Sequence, residues 1–84
     1  MIKIVKFGAP WCGPCRNQDA ILEELAQEGY NIEKVNVDEN EEFVEKYGVR
    51  NVPTLLFFDG EELVERRIGL TRKDEIKDIC GRFQ

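Results

Sequence analysis

Two cysteines three positions apart, Cys12 and Cys15, carry the clearest chemistry in this chain, with Gly13 and Pro14 between them and Trp11 just before. If a helix starts at this point, one turn brings both sulfurs to the same side, close enough for a disulfide. Cys12 then sits at the exposed N-terminal end, where unpaired backbone N–H groups and the helix dipole stabilise an anion. A thiolate is the reacting species, so this placement lowers the Cys12 pKa and arms it as a nucleophile. Cys15, one turn further in, is more shielded and becomes the resolving thiol. Glycine and proline between them allow close approach and keep the turn stiff. A bare C-x-x-C is equally compatible with half of a zinc site. With no histidine and only a distant Cys80 as a third thiol, a single chain cannot complete a four-ligand site, so no metal is expected. A zinc ion or an iron–sulfur cluster would have to be shared between two chains.

The surrounding pattern predicts the elements that must hold this pair. Ile2 to Phe7 is rich in β-branched and aromatic residues and ends at Gly8, which reads as a strand. After a loop, a helix runs from near Cys12 to about Glu28, with Ile21, Leu22, Leu25 and Ala26 at helical spacing and Pro14 harmless in its first turn. Asn31 to Val37 alternates as a second strand, and strand–helix–strand gives a parallel pair. A short helix from about Asn40 to Tyr47 packs Phe43, Val44 and Tyr47 and is capped by Gly48. Thr54 to Phe58 and Glu62 to Ile68 form a hairpin around Asp59-Gly60. Thr71, with Asp74 three residues on, is expected to cap a last helix whose stripe is Ile76, Ile79, Cys80 and Phe83. The order β-α-β-α-β-β-α implies an α/β fold in one domain spanning residues 1–84, a four-stranded mixed sheet with helices on both faces.

Composition narrows the class further. The chain has 84 residues, of which 42% are apolar, as a small folded domain requires. A net charge of −5 with no basic stripe gives no reason to expect nucleic acid. The acidic run Asp38-Glu39-Asn40-Glu41-Glu42 falls where a helix begins and suits its positive end; the other reading is an acidic docking surface. No segment reads as a signal peptide or a membrane span. A soluble, cytoplasmic protein is expected, in a compartment that keeps thiols reduced. Cys80 lies on the apolar stripe of the last helix and is expected to act as a small buried hydrophobe, the other readings being an oxidation-sensitive thiol or a dimer link.

Three separated stretches resemble the thioredoxin family: Trp11-Cys12-Gly13-Pro14-Cys15, then Tyr47-Gly48-Val49-Arg50-Asn51-Val52-Pro53-Thr54, then Asp59-Gly60 followed by Gly69. The resemblance covers nearly the whole chain and implies the thioredoxin fold. It also implies protein dithiol–disulfide oxidoreductase activity through the Cys12/Cys15 redox pair, with electron transport to disulfide-containing target proteins. It further implies a cis Val52–Pro53 bond beside the cysteines, with Val52 offering its backbone to an extended target segment. Trp11, Gly13, Pro14, Val52 and Pro53 then form the substrate-binding surface. Recycling would come from a thioredoxin reductase, with the glutathione system as the other electron donor. No bound cofactor is needed, and a monomer is expected.

The chain departs from the family in two ways. It lacks the N-terminal strand and helix, which gives it a glutaredoxin-like length and makes a glutathione-coupled disulfide reductase the first alternative. A non-catalytic thioredoxin-fold binding module is the second, although such a module would not need both thiols. Finally, where thioredoxins usually carry a buried acid near the resolving cysteine, this chain has Lys6. Asp19 lies one helical turn beyond Cys15. Either Lys6 and Asp19 face each other near Cys15 as a charged proton relay, or Lys6 snorkels its ammonium to water and Asp19 is a solvated helix residue.

Overall fold

Alternation along the strands and 3.6-residue stripes along the helices sort the apolar side chains onto two sides of one sheet. The computed structural model describes residues 1–83. It contains β1 (Ile2–Gly8), α1 (Gly13–Gln27), β2 (Asn31–Asn36), α2 (Glu41–Tyr47), β3 (Thr54–Asp59), β4 (Glu62–Ile68) and α3 (Lys73–Arg82), in that order. The strands lie in the spatial order β2-β1-β3-β4. β1 and β2 are parallel, as a helical crossover requires, and the remaining pairs are antiparallel.

On one face, Ile2, Ile4, Leu55 and Phe57 of the central strands meet Leu22 and Leu25 of α1 and Ile76, Ile79 and Cys80 of α3. On the other, Val5, Phe7, Val35, Leu56 and Phe58 meet Val44 and Tyr47 of α2. Phe57 is wholly buried, so truncating it to alanine removes about 3–5 kcal/mol of stability. The expected mixed sheet with helices on both faces is therefore present.

α2 has no buried residue of its own, and its ends do much of the work. Glu41 and Glu42 occupy its first turn, where the dipole favours them. Gly48 closes it with a left-handed φ of 65°, which side-chain-bearing residues avoid. The Arg66 guanidinium on β4 donates to the carbonyls of Tyr47 and Gly48, binding the helix end to the sheet.

One local expectation fails. Thr71 does not cap α3: Arg72 holds the N-cap position without a side-chain cap bond. The Thr71 hydroxyl donates instead to the Gly69 carbonyl. Its backbone is held by Gln18 of α1, whose buried amide accepts from Thr71 N–H at 2.8 Å and donates to Thr71 C=O at 3.0 Å. A side chain 53 positions away thus fixes the start of α3.

Candidate active site

α1 begins one residue later than the motif suggests, and that places Cys12 at the N-cap in extended conformation. Pro14 falls in the first turn, where its missing N–H leaves no helical bond unmade. Cys12 and Cys15 are joined as a disulfide with their Cα atoms 5.3 Å apart. The N–H of Cys15 donates to the Cys12 sulfur at 3.2 Å. A thiolate at Cys12 therefore has a ready donor and the positive end of a 15-residue helix. Cys12 is less open than its position suggested, at 5% exposure against 2% for Cys15, because Ala9, Val37 and Val52 pack around the pair.

The second stretch arrives from the opposite side. The Val52–Pro53 bond is cis, and Val52 packs against the cluster of Ala9, Cys12 and Cys15. Thr54 Oγ donates to Asn51 C=O at 2.6 Å, and Gly69 N–H donates to Pro53 C=O at 2.8 Å. The loop is thus held at both ends by β3 and β4. Val52 precedes the first residue of the ladder, Thr54, so its own N–H and C=O lie outside the sheet pairing. Gly13 and Pro14 are exposed beside it.

Trp11 is 68% exposed, yet its indole N–H donates to Asp38 at 2.9 Å. The acidic run therefore does two jobs, with Glu41 and Glu42 opening α2 and Asp38 holding Trp11. Two further apolar side chains, Ile68 and Leu70, stand exposed on either side of Gly69, next to Pro53. Sequence reasoning missed Asp38, Ile68 and Leu70. The apolar pair Ile-Gly-Leu at a strand end was the one available signal, and it also reads as core.

Lys6 and Asp19 do face each other. Alternation along β1 puts Lys6 on the α1 side with Ile2 and Ile4, and its ammonium lies 2.6 Å from the Asp19 carboxylate. Lys6 is buried and does not reach water as a free snorkelling side chain. Cys80 is buried in the α3 stripe as expected, and burial pushes its thiol pKa above the ordinary value. Among the described residues, no three His, Cys, Asp or Glu side chains are grouped to hold a metal ion. Among the described residues, no helix is long and apolar enough to cross a membrane.

Residues 1–81 match the thioredoxin family. The chain belongs to the thioredoxin family. Thioredoxin from Bacillus subtilis is 40% identical over 84 residues, a match covering 96% of this chain and 81% of that protein. Thioredoxin 1 from Nostoc is 44% identical over 73 residues, covering 83% of this chain and 68% of that protein. Among solved structures, a mutant thioredoxin from Halobacterium salinarum superposes with a TM-score of 0.92 at 38% identity, covering 98% of this chain and 74% of that one. Fasciola hepatica thioredoxin gives a TM-score of 0.89 at 36% identity over 99% of this chain and 81% of that one.

With the Cys12–Cys15 disulfide at the start of α1, membership makes the protein a thiol–disulfide oxidoreductase. Thioredoxins act on disulfide-containing targets and take electrons from thioredoxin reductase. Neither a glutathione-coupled enzyme nor a non-catalytic module is favoured by this match.

Proposed function

We propose that this thioredoxin-family protein reduces protein disulfides in the cytoplasm as a monomer, without a bound cofactor, and is returned to its dithiol by an NADPH-dependent thioredoxin reductase. Cys12 is the attacking thiol. Its thiolate opens a target disulfide and forms a mixed disulfide, and one target thiolate leaves and takes a proton from water. Cys15 then attacks the Cys12 sulfur, closing the Cys12–Cys15 bond and releasing the second target thiol.

The observation that carries this reading is the position of Val52, packed against the cysteine pair with its backbone outside the ladder. An extended protein segment can add to that edge as a strand would, while Trp11, Gly13, Pro14 and Pro53 line its path. The exposed apolar side chains of Trp11, Ile68 and Leu70 suit a protein surface better than glutathione, a small peptide whose charged ends need fixed polar partners.

A coupled assay separates the two electron donors. NADPH oxidation on a disulfide protein such as insulin should run with a thioredoxin reductase and stay at background with glutathione and glutathione reductase. The reverse pattern overturns the proposal.

A further inference from the structure

We infer that Lys6 is a fixed cation that favours the thiolate of Cys15, the group that attacks in the second half of the exchange, and that Gly8 provides the space for it. The inference rests on the reading of Cys12 and Cys15 as attacking and resolving thiols.

Lys6 is the one charged side chain in the buried set among the described residues, at 6% exposure. A buried ammonium is tolerated when it is paired, since desolvation alone costs several kcal/mol. The partner is Asp19, four residues beyond Cys15 on α1 and 2.6 Å from the Lys6 nitrogen. Lys34, directly beside Lys6 across the β1–β2 ladder, reaches the same carboxylate oxygen at 3.9 Å. Two cations thus share one carboxylate, and the cluster keeps a surplus positive charge.

That surplus lies next to sulfur. A Cβ on Gly8 would stand 2.9 Å from Cε and Nζ of Lys6 and 3.1 Å from the Cys15 sulfur. The ammonium and the sulfur therefore meet over a residue with no side chain, within about 6 Å of each other, inside the range where an opposite charge favours ionisation. A cleft lined by Lys6, Gly8, Ala9, Pro10 and Asp19 opens beside them.

In the mixed disulfide the Cys12 sulfur is uncharged and Cys15 is a free thiol. Cys15 releases its proton to water in the cleft, and its thiolate faces Lys6. Its electron pair then forms the bond to Cys12 sulfur as the target thiolate departs with the old bonding pair and takes a proton from water. Lys6 stays charged throughout. Asp19 opposes the thiolate by its own charge, and its part is to keep the ammonium inside. The other charged group of the cluster is Lys34 on β2, 3.9 Å from the Asp19 carboxylate, and the N-terminal end of α1 also favours the anion.

The test reads Cys15 alone, in a Cys12→Ser background, by the pH dependence of its alkylation. Adding Lys6→Met should raise the midpoint by about one pH unit, a tenfold loss of thiolate below it, and Lys6→Arg should restore most of the shift. An unchanged midpoint with Lys6→Met overturns the inference. A second variant, Lys6→Gln in the same background, keeps a polar side chain beside Asp19 and should raise the midpoint as Lys6→Met does. A midpoint that stays at the parent value with Lys6→Gln overturns the inference as well. Neither experiment uses turnover, so insulin reduction by the wild type still judges the disulfide-exchange reading separately.

Discussion

The backbone N–H of Cys15 donates to the sulfur of Cys12 at 3.2 Å, so the helix that carries both thiols also supplies a hydrogen bond to the first of them. In the reduced protein this donor and the helix N-terminus act together on a thiolate. Cys12 should therefore be alkylated roughly tenfold faster than a free thiol near pH 7. Burial holds the Cys80 thiol above its ordinary pKa, so Cys80 should stay unlabelled until denaturant is added. Mass spectrometry of the labelled, reduced protein checks both; early labelling of Cys80 would contradict its place in the core.

Gln18 is wholly buried, and its amide meets both backbone groups of Thr71. Gln18→Ala strips a donor and an acceptor of their partners in the interior and leaves a cavity. We expect it to lower stability by about 2–4 kcal/mol, read as an earlier midpoint in urea with an unchanged slope.

Glu28, just past α1, is bound by Lys73 at 2.6 Å and Lys77 at 2.7 Å on α3. The hydrogen bond from Lys73, then that from Lys77, holds its pKa below the ordinary value of 4.5. A depressed carboxylate contributes stability above the unfolded-state pKa, and that contribution is lost as pH falls through the folded one. The melting temperature of Glu28→Gln should therefore lie below that of the wild type near neutral pH. The gap should close in acid, as pH falls below the ordinary carboxylate value and then through the lowered one.

Ile68 and Leu70 are exposed beside Pro53, away from the sulfurs' own bonds. Changing both to serine should slow insulin reduction about tenfold, through lost apolar contact of a few tens of Å2 per side chain. The reduction potential of the Cys12–Cys15 couple should stay unchanged. A shifted potential would mean that the pair acts on the thiols and not on the target.

Much of this was legible in the sequence because it is local. The β1 alternation, the Asp59-Gly60 turn and the spacing of Cys12 and Cys15 each depend on a few neighbouring residues, and the observed elements follow them within a residue or two. The Lys6–Asp19 pair could be read too, since Asp19 stands one turn past Cys15 and Lys6 shares a face with Ile4. What could not be read depends on distant partners. Thr71 carries a capping side chain, but Gln18 captures its backbone and Arg72 takes the N-cap place. Asp38 sits in an acidic run whose charge suits a helix start, and only the fold brings Trp11 to it. Gly8 looks like a strand end, while its real constraint is the close approach of Lys6 and Cys15.

The central claim is that Cys12 attacks and Cys15 resolves, and trapping the intermediate tests it most directly. Reduced Cys15→Ser protein, incubated with a disulfide-containing target, should accumulate a covalent adduct joined through Cys12 and released by dithiothreitol. Cys12→Ser protein should give little adduct under the same conditions. An adduct that forms through Cys15 in Cys12→Ser protein, or none at all with Cys15→Ser, would contradict the account.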